Sequence, residues 1–377
     1  MQDDIFVIDG VTHCYDMRPE NFAEPRYAEP INELQKSLYA MQPPGYDLDP
    51  EATAVDYPID DTAGILFRES RTDVAIYHPL PIYFYKDGLS GFEKGLQAIE
   101  RWPDRFIGSY VTVDPMRPDP IGDLERQFAA VDAVGTVMGL KLYPISYYEG
   151  KTTPWQMDDP KIGFPLYERA LELGLRNIAI HKSLPLGPAP EGDAFHPRDV
   201  EGAADAFPNI TFEVVHGGMS FTEEMAWLFG RMPNIWLNLE TFNIILSLRP
   251  EVFGDLLATL LTVTGEAGIE RMFWSSGTNN CHARPGLEAF MDFQFADDQM
   301  NRNGLFTPVP QLSHEHKRAI LGGNLARLHG LDVEALKGAI ADDEFSRATA
   351  DGLAEPYSTT TMAGKTMSPF PGVASHV

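Results

Sequence analysis

Short apolar segments alternate with amphipathic segments along most of the chain. Amphipathic segments such as 164–175 and 222–232 repeat their apolar residues at helical spacing. Strand-like segments that alternate with helices predict parallel strands joined by crossover connections. These strand-like segments are 5–10, 72–81, 105–115, 139–144, 177–185, 210–218, 235–240 and 271–277. Eight such strands, followed by a last helix at 313–331, fit a (β/α)8 TIM barrel better than an open sheet.

Two segments interrupt this alternation. Residues 16–60 form a proline-rich, acidic insertion after the first predicted strand. Long loops at the carboxyl ends of barrel strands often cover the active site, so we expect this insertion to cap it. We expect residues 1–350 to form one barrel domain. Residues 351–377 read as an extended C-terminal arm, either disordered or wrapped around a partner subunit.

Composition narrows the partners of the protein. The 377 residues include 55 acidic and 29 basic side chains, for a formal net charge of -26. This excess disfavours nucleic acid and anionic membranes as partners. Cys14 and Cys281 are too few for a disulfide framework. The N-terminus lacks signal-peptide features, and no apolar run reaches membrane-spanning length. We therefore expect a soluble, cytoplasmic protein.

Four histidines end predicted strands: His13, His78, His181 and His216. A single histidine at a strand end is more often an ordinary buried residue. In a barrel, however, the carboxyl ends of all strands meet at one rim. With Glu240 at the end of the seventh strand, these side chains predict a metal site for one or two divalent ions, of Zn, Fe or Mn type.

The predicted ligands are not equally strong. His181 and His216 are the strongest, because "VVHGG" allows the backbone to turn away from the site. His78 precedes a proline and could instead orient the substrate. Glu240 could instead form a salt bridge, since an unpaired buried carboxylate is costly.

Other polar residues near the same rim are candidates for chemistry. Lys141 and Tyr143 share one face of the fourth strand, and His282 lies just beyond the eighth. We expect catalytic or substrate-positioning roles from these three residues. Asp9 is expected to support the site through hydrogen bonds.

Several segments together resemble the amidohydrolase superfamily, in its decarboxylase-like branch, over about residues 9–331. They are "VIDGVTH", "GLKLYP", "ALELGLRNIAIHKSLP", "FEVVHGGMSF", "MPNIWLNLE", "RMFWSSG" and "KRAILGGNLARLHGL". The resemblance implies a (β/α)8 barrel with one or two metal ions. It places His13, His181 and His216 on ligand positions. It places Lys141 near the position of a carboxylated, metal-bridging lysine in some members.

Two departures from the family pattern bear on function. The first histidine of the family's His-x-His pair is replaced by Val11, and the aspartate of the eighth strand is replaced by Gly277. That aspartate usually binds metal and takes a proton from the attacking water. Without it, hydrolysis by a metal-bound water lacks its usual base.

A divergent subgroup is similar in "HCYDMRPENF", "YHPLP" and "WSSG", together with Glu240. It resembles the subunits of the α-aminoisobutyrate hydroxylase. The resemblance implies a non-haem dinuclear centre, of Fe or Mn type, that activates oxygen with mixed histidine and carboxylate ligands.

Three functions remain open at this stage. The first expectation is an oxygen-activating hydroxylase component that acts on a small polar organic molecule and depends on a reductase or other electron-transfer component. The alternative is a metal-dependent hydrolase or decarboxylase, whose base would be Glu240, His282 or Asp9. A second alternative is a non-catalytic partner subunit. The long insertion and the arm predict a homo- or hetero-oligomer in each case.

Overall fold

The computed structural model describes residues 5–371 except 186 and 191. Within them, eight parallel strands form a nearly closed barrel in chain order, which confirms the (β/α)8 TIM barrel. The strands are β1 (Ile8–Thr12), β2 (Val74–Tyr77), β3 (Phe106–Thr112), β4 (Val137–Leu142), β5 (Ile145–Tyr148), β6 (Lys151–Pro154), β7 (Asn177–His181), β8 (Thr211–Val215), β9 (Ile235–Asn238) and β10 (Met272–Phe273). The strands β5 and β6 form a separate antiparallel hairpin. Between β10 and β1, the Gly10 amide donates to the Trp274 carbonyl at 3.1 Å.

Helices follow most barrel strands and cover the outside of the barrel. The helices of the described residues are α1 (Pro25–Ala40), α2 (Ile59–Phe67), α3 (Phe92–Arg101), α4 (Pro120–Asp132), α5 (Gly163–Glu172), α6 (Arg198–Ala206), α7 (Thr222–Arg231), α8 (Phe242–Leu248), α9 (Pro250–Leu260), α10 (Glu266–Ile269), α11 (Ala283–Asp292), α12 (Asp297–Arg302), α13 (His314–Arg318), α14 (Asn324–His329), α15 (Val333–Ile340) and α16 (Glu344–Ala348). Short 3-10 helices lie at Pro19–Asn21, Pro50–Ala52 and Met219–Phe221, and a π-helix at Ala319–Gly323 joins α13 to α14.

The barrel strands are buried on both faces. Every residue of β1, β2 and β7 is buried. Ile76, Tyr110 and Val215 belong to a core inside the barrel, whereas Leu140 and Ile180 belong to a larger core under the helices. This two-sided burial explains why the strands read as short apolar runs.

The insertion after β1 is ordered and helical. In α1, Pro25 stands in the first turn and the Glu24 carboxylate accepts a hydrogen bond from the Arg26 amide at 3.3 Å. Asn32 donates to the Met17 carbonyl at 2.6 Å and fixes the helix to the segment that follows β1. The insertion therefore lies over the carboxyl end of the barrel.

The C-terminal arm packs on its own chain as far as it is described. The Tyr357 and Thr359 amides each donate to the Glu69 carboxylate at 2.7 Å. The Ser368 hydroxyl donates to Asp47 Oδ2 at 2.6 Å, within the insertion. Residues 351–371 thus run along the chain's own surface, and the last six residues of the predicted arm, 372–377, lie outside the described residues.

Two expectations from composition can be compared with the fold. Cys14 and Cys281 are buried free thiols. Among residues 5–371, 186 and 191 excepted, we find no helix that combines the length and the apolar character of a membrane span.

Candidate metal centre

A cavity of about 140 Å³ lies at the carboxyl ends of the barrel strands, beneath α1. Its polar lining includes five of the eight predicted site residues. The residues lining it are His13, Tyr15, Leu34, Gln35, Leu38, Leu80, Leu89, Lys141, His181, Leu184, His216, Glu240, Thr241 and Asn280. Other cavities reach about 510 Å³, but none of those on the described residues contains the strand-end histidines.

Each of the three histidines in this cavity has one ring nitrogen anchored by an oxygen. His13 Nδ1 lies 2.7 Å from the His78 carbonyl, and His181 Nε2 lies 2.8 Å from the Leu184 carbonyl. His216 Nδ1 lies 2.8 Å from Glu240 Oε2. Such anchoring fixes the tautomer and orients the other ring nitrogen, and it is typical of histidines that bind metal.

The free nitrogens of two of these histidines face each other. His216 Nε2 and His181 Nδ1 are 2.9 Å apart. If both anchored nitrogens carry their protons, the two facing atoms each present a lone pair. Lone pairs at this separation repel unless a proton or a metal ion lies between them. With that protonation, the pair would present two nitrogen ligands of the kind that Zn, Fe or Mn prefer.

The structure only partly assembles the predicted ligand set. Across the described part of the chain, no group of three or more His, Cys, Asp and Glu side chains is arranged to hold one metal ion. The histidine pair and its anchoring fit a metal, whereas His13 and Glu240 share the cavity without completing a shell. The ligand set His13, His78, His181, His216 and Glu240 stays a prediction.

Glu240 fills the space next to Gly277, where the sequence departs from the family. A Cβ atom built on Gly277 would lie 2.9 Å from Glu240 Cγ and 3.0 Å from Cδ, and closer still to Oε1. Gly277 has φ +66°, a conformation that other residues rarely adopt. The Glu240 carboxylate thus occupies the place where the side chain of the missing aspartate would begin.

The charged groups of the cavity shift one another's pKa. Burial raises the pKa of Glu240, but His216, His13 and Lys141 outweigh burial and hold this pKa below its usual range. Burial lowers the pKa of His13 to about 4 and of Lys141 to about 8, although Glu240 acts in the opposite sense on both. The centre therefore contains neutral His13 and, near pH 7, a carboxylate with an ammonium group.

Left-handed residues occur at four consecutive strand ends around this cavity. Ser183 (φ +65°) follows β7, His216 (φ +67°) follows β8, Thr241 (φ +71°) follows β9 and Gly277 follows β10. Gly217 and Gly218 continue the turn after His216, as "VVHGG" predicted. Unfavourable backbone conformations often cluster at active sites, which agrees with a functional site at these strand ends.

Three predicted residues lie outside the cavity lining. The His78 ring stacks on Tyr110 with centroids 3.9 Å apart, and both of its nitrogens lack a hydrogen-bond partner among the described residues. The Tyr143 ring packs against His181, 4.8 Å away. His282 Nε2 contacts Glu69 Oε2 at 3.0 Å, and His282 caps α11. His282 thus has a structural partner and does not reach the cavity.

Asp9 supports the loop after β10, as expected. Its Oδ1 accepts hydrogen bonds from the Ser276 amide at 2.9 Å and from the Val11 amide at 3.3 Å. Burial raises the pKa of Asp9 to about 7. Val11, which replaces a family histidine, is fully buried in the hydrophobic core.

Sequence reasoning missed the residues that α1 brings to the cavity. Leu34, Gln35 and Leu38 line it, and Leu34 is 42% exposed, so the cavity approaches the surface beside Leu34. The signal was available as helical spacing of Ile31, Gln35 and Leu38 within 16–60. Tyr15 was also missed, and its ring stacks on His13 with centroids 5.6 Å apart.

Comparisons with known proteins agree with this fold. A family model described as amidohydrolase matches residues 95–331, more than half of the chain. An uncharacterised TIM-barrel protein from Bordetella bronchiseptica is 16% identical, with a TM-score of 0.57, covering 89% of this chain and 100% of its own. No curated protein matches the chain.

Two further solved structures show weaker likeness. The 5-carboxyvanillate decarboxylase from Sphingomonas paucimobilis is 13% identical, with a TM-score of 0.48, covering 87% of this chain and 100% of its own. A dihydroxybenzoic acid decarboxylase from Polaromonas, solved with bound manganese and an inhibitor, is 13% identical, with a TM-score of 0.45, covering 71% of this chain and 84% of its own.

Proposed function

The chain belongs to the amidohydrolase superfamily, and on this premise we propose that it is a metal-dependent decarboxylase of a small organic acid. The observation that carries the proposal is the arrangement of Lys141 and Glu240 in one mostly apolar cavity. A divalent metal held by His181 and His216, with His13 and Glu240 beside them, would polarise a substrate oxygen and stabilise developing negative charge.

The cavity supports proton donation better than proton abstraction. Glu240 is already engaged, since Oε2 contacts His216 and Oε1 accepts from the Thr241 hydroxyl at 3.2 Å. A carboxylate with a lowered pKa is also a weak general base. Lys141 is the cationic side chain among the described residues of the lining, and it is protonated near neutral pH.

Decarboxylation needs such a proton donor. When the bond between the carboxyl group and its carbon breaks, carbon dioxide leaves and the electron pair would pass to a carbonyl group of the substrate attached to that same carbon, whose oxygen the metal would polarise. In the proposed reaction, that carbon takes a proton from Lys141, which then recovers one from solvent. The leucines of the wall exclude water, so the substrate carboxylate loses solvation that stabilises its ground state.

Hydrolysis is the second candidate, because the family model is described as amidohydrolase. It would require a base for a water molecule, and Glu240 is the carboxylate in the described lining. The oxygen-activating hydroxylase, expected first from the subgroup resemblance, receives no support from the comparisons. A reductase partner remains a proposal that accompanies the hydroxylase, and an oligomer remains a proposal for each of the three functions.

Turnover without oxygen separates these reactions. Purified protein, loaded separately with Mn²⁺, Zn²⁺ or Fe²⁺, would be incubated anaerobically with short-chain acids labelled with ¹³C in the carboxyl group. We expect labelled carbon dioxide with at least one metal, and none with Lys141→Met. Products that form only with oxygen and a reductant would support hydroxylation. Products of water addition without carbon dioxide would support hydrolysis. Either result would overturn the proposed decarboxylation.

A further inference from the structure

Tyr15 lies two residues beyond His13 and lines the same cavity. Its ring stacks on the His13 ring, with centroids 5.6 Å apart and an angle of 22° between the two planes. The Tyr57 amide donates to the Tyr15 carbonyl at 2.9 Å, and Tyr15 pairs with Ser90 in a β-bridge. These contacts hold the Tyr15 ring beside a predicted metal ligand.

The hydroxyl of Tyr15 is free to bind a molecule in the cavity. It forms no hydrogen bond with the described residues, yet it is not one of the polar atoms that are sealed in protein without a partner. It therefore keeps accessible surface, and the cavity that Tyr15 lines is this one. Burial raises the pKa of Tyr15 and Glu240 is the next cause, which places the hydroxyl on the Glu240 side. The Glu240 carboxylate itself contacts His216 and Thr241 instead.

A phenol that keeps its proton is a hydrogen-bond donor, and a decarboxylated acid offers it two kinds of acceptor. A hydrogen bond to the carboxylate would weaken as carbon dioxide forms, because negative charge leaves that group. A hydrogen bond to the carbonyl oxygen would strengthen, because negative charge moves onto that oxygen. Only the second kind accelerates the reaction. Tyr15 also lies beside the residues that would hold the metal that polarises this oxygen.

We propose that Tyr15 is a catalytic residue that donates a hydrogen bond to the carbonyl oxygen of the substrate, and that the substrate is a short-chain 3-oxo acid. The bond between the carboxyl group and its carbon breaks, and its electron pair forms the carbon–carbon double bond of an enolate. The enolate oxygen takes the negative charge, which Tyr15 stabilises without giving up its proton. Lys141 then protonates the carbon. This inference rests on the proposed decarboxylation at the same cavity.

Binding of two acids of nearly the same shape tests the hydrogen bond without turnover. Acetoacetate carries the carbonyl oxygen, and 3-methylbut-3-enoate carries a methylene group in its place. Isothermal titration calorimetry on the full chain, with a chelator present, would give the affinity for each acid without a contribution from metal. We expect acetoacetate to bind about tenfold more tightly than 3-methylbut-3-enoate.

Two variants assign the preference to the Tyr15 hydroxyl. Tyr15→Phe removes this hydroxyl alone and should bring the two affinities to near equality. Tyr46→Phe is the matched control, because Tyr46 is also buried and its ring packs on a histidine, His282, with centroids 4.9 Å apart. Tyr46 does not line the cavity, so this control should keep the full preference.

Kinetics of the metal-loaded protein separate stabilisation of the developing charge from binding. With acetoacetate, Tyr15→Phe should raise KM about tenfold and also lower kcat about tenfold, because the hydrogen bond is stronger in the transition state than in the bound substrate. A group that only binds the substrate would change KM and leave kcat unaltered.

Several outcomes would overturn the inference: equal binding of both acids to the unaltered protein, no binding of acetoacetate, a preference that survives Tyr15→Phe, or an unchanged kcat in Tyr15→Phe. Release of carbon dioxide from other acids but not from acetoacetate would overturn the substrate class. Failure of the proposed decarboxylation is recognised separately. A protein that selects acetoacetate through Tyr15 but releases no carbon dioxide from any acid keeps the hydrogen bond and loses the proposed reaction.

Discussion

Restoring the family aspartate at position 277 tests whether Glu240 occupies its place. The Gly277→Asp variant would put a Cβ atom 2.9 Å from Glu240 Cγ and 3.0 Å from Cδ, tighter than ordinary contacts. Overpacking of this kind costs about 1–3 kcal/mol. The left-handed backbone at φ +66° costs about 1–2 kcal/mol more for a residue with a Cβ atom. We therefore expect the free energy of unfolding to fall by about 2–5 kcal/mol.

The two contributions can be separated by a control and a second substitution. Gly174→Asp carries the same kind of backbone cost, since Gly174 has φ +88°, but its Cβ would meet nothing within 4 Å. Adding Glu240→Ala to Gly277→Asp should recover the overpacking part, with a coupling of about 1–3 kcal/mol between the two sites. Urea unfolding, followed by circular dichroism with a chelator present, gives the free energy of unfolding of Gly277→Asp, Gly174→Asp, Glu240→Ala and the double variant. Equal losses for Gly277→Asp and Gly174→Asp, or no coupling with Glu240→Ala, would refute the reasoning.

Three further predictions concern the site and its supports. Burial lowers the pKa of Lys141 to about 8. If Lys141 donates the proton, kcat should fall as pH rises through about 8, because the ammonium group is then lost. A kcat that stays level from pH 6 to pH 10 would contradict this role. Lys182 Nζ lies 2.7 Å from Asp199 Oδ2, and both side chains are buried. Lys182→Met leaves the Asp199 carboxylate buried without its partner, so it should lower the free energy of unfolding in urea by about 3–5 kcal/mol. The double variant Lys182→Met with Asp199→Leu should recover part of this loss, and an equal loss in the single and double variants would show that the ion pair is not the cause. Burial raises the pKa of Glu69, but its hydrogen bonds to His282 and to the arm outweigh burial and lower this pKa below its usual value. The attachment of the arm is therefore complete above the unfolded pKa of about 4.3 and weakens as pH falls below it. Glu69→Ala should speed tryptic cleavage after Lys365, and an unchanged rate would contradict this attachment.

The barrel could be predicted from the sequence because its strands are buried on both faces. Segment 177–185 contains β7, which ends at His181, and segment 210–218 contains β8, which ends one residue before His216. The pattern of apolar residues indicates which positions are buried, and strands buried on both sides are typical of a parallel sheet covered by helices. The observed strand ends differ from the predicted ones by a few residues, as expected where a strand turns into a loop.

Two parts of the site could not be predicted, because they depend on distant contacts. His282 follows the eighth strand as a ligand would, yet Glu69 of the segment after α2 pairs with it. Gln35 lies in the insertion, where helical spacing of Ile31, Gln35 and Leu38 indicates a helix but not its position. Its place in the cavity depends on how α1 docks across the barrel, which local spacing does not determine. Glu240 was predicted in part: its position at the end of the seventh strand could be read from the sequence, but its contact with Gly277 could not.

Metal content measures the central claim most directly, namely that the strand-end histidines share one ion. Protein purified anaerobically from medium with added Zn, Mn and Fe would be analysed by inductively coupled plasma mass spectrometry. We predict one or two divalent ions per chain in the unaltered protein, loss of metal in His181→Ala, and full loading in the control His316→Ala, since His316 does not line the cavity. An unaltered protein without metal, or equal loading of His181→Ala and the unaltered protein, would contradict the account.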